Sequence, residues 1–265
     1  MKAKAAVAVA PWEVDFREID VPDPGPGDAV VRVTHSWISN GTEGSFVRGE
    51  RIGGDVPRKP EDPLPFPIVT GYQKVGVIEA LGKDVTGFEE GQTVFAAVSR
   101  VGDLFSPMGG HVSPAVTPGP MLWPVPAGVD PVAVSGLVLT QVGYNCGTCA
   151  PVASGDAAVV IGDGMVGHWS AQTLAWRGCR VLLTGRHDER LALYESGPGD
   201  RCVNVRRESA VEAVRQWAPE GVQVVVDTVG SVPDVEALFP LMKKFGHIVS
   251  AGFCGHEGKI DIQAM

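Results

Sequence analysis

The 265-residue sequence predicts an α/β chain in two parts, a barrel-like antiparallel β domain followed by a doubly wound parallel sheet. Three observations carry this expectation. Short β-rich runs punctuated by Gly and Pro fill the chain up to about residue 130. From 131 onward apolar strands alternate with helical stretches, the order that builds a parallel sheet covered on both faces. A glycine-rich turn at 162–167 sits between one such strand and a helix.

The first half opens on a short apolar run that Pro11-Trp12-Glu13-Val14-Asp15 interrupts too early for a signal peptide, so it reads as a first strand. Ala29–Val33, Val75–Leu81 and Thr93–Val98 read as further strands, set off by turns such as Pro24-Gly25-Pro26-Gly27-Asp28 and Glu90-Gly91-Gln92. Strands without intervening helices suggest barrel-like antiparallel pairing. The Pro-rich stretch from Arg48 to Pro67 is long for a loop; with Arg48, Arg51, Arg58 and Lys59 it reads either as a solvated loop or as a lid over an anionic substrate.

The second half starts on a helical stretch, Pro131–Leu139. Strands follow at Ala157–Ile161, Arg180–Thr184, Arg201–Val205, Val222–Asp227 and His247–Ala251. Helices are expected at Met165–Trp176, Asp188–Glu195, Ser209–Trp217 and Val232–Lys244. The expected domains are therefore 1–130 and 131–265.

Val160-Ile161-Gly162-Asp163-Gly164-Met165-Val166-Gly167 matches G-x-G-x-x-G directly after an apolar strand and at the start of a helix. That context makes residues 157–186 the first strand–turn–helix–strand of a Rossmann domain. Gly162 serves the tight turn, Gly164 admits a diphosphate to the backbone, and Gly167 allows close helix–strand packing. The leading N–H groups of the helix, around Met165 and Val166, favour negative charge. An NAD enzyme places a carboxylate at the end of the second strand for the ribose hydroxyls. Here the strand ends in Gly185-Arg186-His187, and Arg186 suits a 2′-phosphate, so NADP is favoured and NAD is the alternative. Asp188 and Glu189 lie close by and would supply a carboxylate in a shifted register.

Composition narrows the rest. Apolar residues make up 44% of the chain and charged residues 20%, enough for a globular core. A formal net charge of -9 without a Lys/Arg run argues against a nucleic-acid partner and fits a cytoplasmic protein. No apolar run approaches the ~20 residues of a membrane span. Five scattered cysteines do not form a disulfide framework. Cys146-Gly147-Thr148-Cys149 is too small for a structural zinc site, and reads as coincidental placement or as a redox pair.

The order of the halves, together with Gly71-Tyr72-Gln73-Lys74-Val75-Gly76-Val77-Ile78-Glu79, Gly109-Gly110-His111-Val112 and the Gly162–Gly167 turn, resembles the medium-chain dehydrogenase/reductase superfamily. The resemblance covers essentially the whole chain. It implies a GroES-like catalytic domain before the Rossmann domain, an active site in the cleft between them, and self-association as a homodimer. Thr228-Val229-Gly230 and Ala251-Gly252-Phe253 resemble the family's later cofactor-side loops, which adds Thr228, Val229, Gly252 and Phe253 to the cofactor set of Gly162, Gly164, Met165, Val166, Gly167, Gly185, Arg186 and His187. Ile38-Ser39-Asn40-Gly41-Thr42-Glu43 is similar to the branch containing bacteriochlorophyllide hydroxyethyl dehydrogenase. Family members usually continue past Gly252-Phe253 into a return segment that the given residues lack.

The departures from the family are chemical. Ser39 stands where a zinc thiolate is implied, Tyr72 where a zinc imidazole is implied, and Thr140 near the third ligand; neutral hydroxyls do not make a zinc site, so no zinc is expected. The resemblance therefore implies a zinc-independent oxidoreductase that moves a hydride between NAD(P)(H) and a small alcohol or carbonyl substrate. Tyr72 is the candidate donor or general acid, Ser39 and Thr42 the proton relay, and Glu43 an orienting group. A quinone or enoyl reductase and a non-catalytic dinucleotide-binding redox sensor are the alternatives. His35 and His111 read as structural or as acid–base groups.

Overall fold

The computed structural model describes residues 1–53, 56–105 and 108–253, and the chain divides into two compact units, Met1–Val138 and Leu139–Met265. The division falls just inside a helix, where the sequence expectation set it at 130/131.

The first unit contains β1 (Lys2–Ala10), β2 (Glu13–Asp20), β3 (Asp28–Ser36), α1 (Thr42–Val47), β4 (Arg51–Gly53), β5 (Val56–Pro57), β6 (Ile68–Val69), β7 (Lys74–Leu81), β8 (Thr93–Ala96), β9 (Val112–Ser113), β10 (Ala115–Pro118), β11 (Leu122–Pro124) and α2 (Pro131–Val134). One sheet has the order β2-β1-β6 with β9 also on β1; the other runs β10-β3-β7-β8-β11. Every pairing in both is antiparallel. Period-two alternation builds the core: Ala3, Ala5 and Val7 of β1 point inward, while Lys2 and Lys4 are exposed. They meet Val31, Ile78, Val94, Val116 and Leu122 in one apolar cluster.

The stretch from Arg48 to Pro67 is not a uniform loop, since it folds the β4–β5 hairpin. Its arginines are engaged within the chain. Arg48 pairs with Glu50 at 2.6 Å and lies over the Trp12 ring. Arg51 is buried with its guanidinium over Phe46. Arg58 donates to the carbonyls of Gly49 and Asp62.

The second unit begins within α3 (Leu137–Cys149) and continues through β12 (Ala157–Ile161), α4 (Met165–Trp176), β13 (Arg180–Gly185), α5 (Asp188–Leu191), β14 (Arg201–Asn204), α6 (Ala210–Trp217), β15 (Val222–Asp227), α7 (Val232–Glu236) and β16 (Met242–Ser250). The strands form one parallel sheet in the order β14-β13-β12-β15-β16. All five residues of β12 are buried, as a central strand covered on both faces requires. Ala158 and Val160 join Ala171 and Leu174 of α4 on one face, while Ala157 and Val159 join Ala213 and Val214 of α6 on the other.

The helix expected over Val232–Lys244 is corrected. It ends at Glu236, Phe239-Pro240-Leu241 makes a single 3-10 turn, and Met242 already begins β16. Pro240 has no N–H to continue an α-helix and sterically opposes the preceding turn, so the apolar periodicity misled where the proline informed. The helix expected from Asp188 likewise stops at Leu191.

Candidate functional site

In the parallel sheet, register brings the strand ends level. Ile161 pairs with Thr184 and with Asp227, and Asp227 pairs with Ser250. The loops that follow, at 162–167, 185–187, 228–230 and 251–253, therefore lie together at the carboxyl edge, where such sheets bind ligands.

The glycine turn has the geometry expected of a diphosphate cradle. Gly162 takes φ +118, and a Cβ there would lie 2.3 Å from Thr228 Oγ1. A Cβ on Gly167 would lie 1.9 Å from the Gly162 carbonyl oxygen, so helix and turn approach too closely for any side chain. At Gly164 a Cβ would meet nothing within 4 Å, which leaves open space directly before the backbone. Gly164 is the N-cap of α4, and no side chain caps that helix. The N–H groups of its first turn, at Met165 and Val166, are thus available to an anion. These residues fit a dinucleotide diphosphate.

The other loops are braced by groups that the sequence reading did not single out. Thr228 Oγ1 donates to the Ile161 carbonyl at 2.8 Å. The buried Asp227 carboxylate accepts from Val229 N at 2.9 Å and Gly230 N at 3.0 Å, leaving the Val229 side chain exposed at the edge. A Cβ on Gly252 would lie 1.9 Å from Gly230 N, which seats the Gly252-Phe253 segment against this loop. At the second strand, Asp163 Oδ2 accepts from Arg186 N at 2.7 Å, His187 N at 2.8 Å and His187 Nδ1 at 2.9 Å. Burial pushes the Asp163 carboxyl up, but these donors together outweigh it and hold it below the ordinary carboxylate range. Arg186 is exposed, and among the described residues its guanidinium has no ion-pair partner. Asp188, the carboxylate a shifted register would offer, is taken by Asn204 Nδ2 at 2.6 Å and Arg207 Nη2 at 2.5 Å.

In the first unit the four candidate catalytic residues come together. The hydroxyls of Ser39 and Thr42 lie beside the Tyr72 phenol and favour its ionised form. Burial raises the Tyr72 pKa above its ordinary value; those two hydroxyls offset part of the rise, so the phenol keeps its proton at neutral pH. Glu43 is 3% exposed and accepts from Ser39 N at 2.7 Å, Thr70 Oγ1 at 3.2 Å and His111 Nε2 at 2.5 Å. His111 Nδ1 lies 2.9 Å from Ser36 Oγ. Glu43 thus fixes the turn that carries Ser39, in keeping with an orienting role. His111 belongs to the same network, whereas His35 is exposed at the end of β3.

The metal-site chemistry is that of hydroxyls. Ser39 and Tyr72 offer neutral oxygens. Among the described residues no three His, Cys, Asp or Glu side chains gather in a metal-holding group. Cys146 is buried and Cys149 exposed, both as free thiols, and burial pushes the Cys146 thiol up, the opposite of what a redox-active pair needs. No helix among the described residues is long and apolar enough to cross a membrane.

Two family models match, the alcohol dehydrogenase GroES-like domain over residues 25–127 and the zinc-binding dehydrogenase domain over residues 166–265. An alcohol dehydrogenase of Cupriavidus necator is 24% identical over 98% of this chain and 79% of its own length. The 2-desacetyl-2-hydroxyethyl bacteriochlorophyllide A dehydrogenase of Cereibacter sphaeroides is 34% identical, over 38% of this chain and 29% of its own length. Among solved structures, a protein of Sinorhizobium meliloti described as a zinc-binding dehydrogenase and bound to NADP superposes with a TM-score of 0.81 at 20% identity, over 99% of this chain and 80% of its own. The two models fall on the two structural units in the expected order, and the chain belongs to the medium-chain dehydrogenase/reductase superfamily of NAD(P)-dependent oxidoreductases.

Proposed function

We propose that this chain is a zinc-independent oxidoreductase that uses NADP(H) to interconvert an alcohol and a carbonyl. The observation that carries the reading is the half-buried Tyr72 phenol with the Ser39 and Thr42 hydroxyls beside it, Tyr72 and Ser39 standing where the family resemblance implies metal ligands. A dinucleotide held by its diphosphate at the glycine turn would supply or accept the hydride through its nicotinamide. The chain's residues then handle the proton and the charge on oxygen. In the reducing direction the substrate oxygen gains negative charge, and a pre-aligned phenol O–H stabilises that charge and protonates it. The raised pKa of Tyr72 keeps the proton on the phenol until it is needed. Ser39 and Thr42 hold the phenol oxygen in place and return a proton to it. Glu43 fixes Ser39 through the backbone N–H.

The cofactor preference rests on Arg186, an exposed cation beside a strand end that carries no acidic side chain. The NADP-bound relative of Sinorhizobium meliloti supports the same choice. The local similarity to the bacteriochlorophyllide dehydrogenase points to a secondary alcohol on a large ring as a substrate to include.

The test is NADPH oxidation by the purified protein against a panel of aldehydes, ketones, quinones and activated alkenes, after treatment with a strong zinc chelator. Turnover of a carbonyl is expected to survive the chelator, and Tyr72→Phe is expected to lower kcat by ~10²-fold or more while leaving KM nearly unchanged. Turnover that requires added zinc, or that Tyr72→Phe leaves intact, would overturn the reading.

A further inference from the structure

We propose that Asp163, the variable residue inside the glycine turn, is a specificity-determining positioning residue that sets this chain's preference for a 2′-phosphorylated dinucleotide. The inference rests on the NADP reading above and assigns the preference a second residue that never touches the phosphate.

Asp163 leaves the turn at the end of β12 and reaches across to the end of β13. There its Oδ2 accepts two successive backbone N–H groups, from Arg186 at 2.7 Å and His187 at 2.8 Å, and also lies 2.9 Å from the His187 ring nitrogen. Its Oδ1 lies 3.8 Å from the Arg190 guanidinium. The Asp163 side chain is only 10% exposed, and it is ringed by His187, Arg190 and two N–H dipoles. It is thereby turned inward and compensated, so it presents little negative charge to an incoming phosphate.

Two consequences follow from this one side chain. The first is exclusion. A Cβ on Gly185 would lie 2.4 Å from Asp163 Cβ and 2.5 Å from Asp163 Oδ2. No side chain fits at the end of β13 while Asp163 is present, and this is the region that carries a ribose-binding carboxylate in NAD enzymes. The second is alignment. Pinning the amides of residues 186 and 187 fixes the backbone from which Arg186 projects, so a long flexible cation is anchored at its root. A guanidinium held in this way recognises a phosphate with less loss of conformational freedom on binding.

The experiment is calorimetric titration of the 265-residue protein with adenosine 2′,5′-bisphosphate and with 5′-AMP. NADPH and NADH are titrated in parallel, and hydrogen exchange is followed at the Arg186 and His187 amides. Wild type is expected to favour the 2′-phosphorylated member of each pair. Asp163→Ala is expected to reduce that ratio about tenfold and to speed exchange at both amides. Asp163→Asn keeps an acceptor oxygen and the shape, and is expected to retain most of the ratio. Arg186→Ala is expected to abolish it, with Asp163→Ala adding nothing further in the double variant.

The outcomes separate the two ideas. If Arg186→Ala leaves the ratio unchanged, the NADP reading itself fails. If Arg186→Ala lowers the ratio while Asp163→Ala and Asp163→Asn leave it unchanged or raise it, the NADP reading stands and the positioning role of Asp163 is refuted. A rise would mean that the carboxylate competes with the phosphate.

Discussion

Lys74 is fully buried in the first unit, and its side-chain contacts are two carbonyl oxygens, Ala97 O at 3.2 Å and Gly109 O at 3.4 Å. Desolvation lowers its pKa from 10.5 to about 7. The folded protein therefore binds fewer protons than the unfolded chain between these values, and stability must rise as pH climbs from about 7 toward 10.5. Below pH 7 the lysine is charged in both states and the penalty is constant at its largest. A shift of this size, at ~1.4 kcal/mol per unit, corresponds to about 5 kcal/mol. Lys74→Met removes the charge and keeps the volume, but leaves two buried carbonyls without their donor, at a pH-independent cost of about 1–3 kcal/mol each. The stability difference between the two proteins should thus move in favour of wild type by about 4 kcal/mol from pH 6 to pH 10. Urea unfolding of both proteins at pH 6, 7, 8, 9 and 10 measures the difference. If the two stability-versus-pH curves run parallel, the buried-cation argument is wrong.

The glycine turn gives a contrasting pair. Gly167→Ala forces a Cβ against the Gly162 carbonyl, and should lower both thermal stability and cofactor affinity. Gly164→Ala meets open space in an ordinary extended conformation, so melting should be unchanged while cofactor affinity falls. Glu43→Gln places an amide N–H₂ among groups that donate to the present carboxylate, and should cost about 1–3 kcal/mol in urea unfolding. Unchanged stability in that variant would mean the Glu43 network is not formed.

The central strands of the parallel sheet were legible because they carry short runs of Val, Ile, Leu or Ala bounded by turn residues, as in Ala157–Ile161 and Val224–Val226. The glycine turn was legible because its three glycines keep the G-x-G-x-x-G spacing between an apolar strand and a helix; two of them, Gly162 and Gly167, answer to close approaches within the chain, and Gly164 to open space. Ser39, Thr42, Glu43 and Tyr72 were found through resemblance, since nothing local marks residues 39 and 72 as neighbours. Long-range partners stayed hidden for the same reason. The Glu43–His111 contact spans 68 residues, and the Asp163 contacts with residues 186 and 187 span 23 and 24. A signal for Asp163 did exist: a carboxylate in the variable position of a turn that favours anions calls for its own donors. For Val232–Lys244, Pro240 was the overlooked breaker. The arginines of 48–67 looked like a lid because sequence alone does not reveal which cations already have partners.

The central claim is that the open backbone at Gly164–Val166 grips the diphosphate of a nicotinamide dinucleotide. Calorimetric titration of the protein with NADPH and with NADH tests it most directly. Saturable binding of at least one nucleotide, tighter for NADPH and weakened in Gly167→Ala, is the predicted result. No measurable affinity for either nucleotide, or affinity that Gly167→Ala leaves untouched, would contradict it.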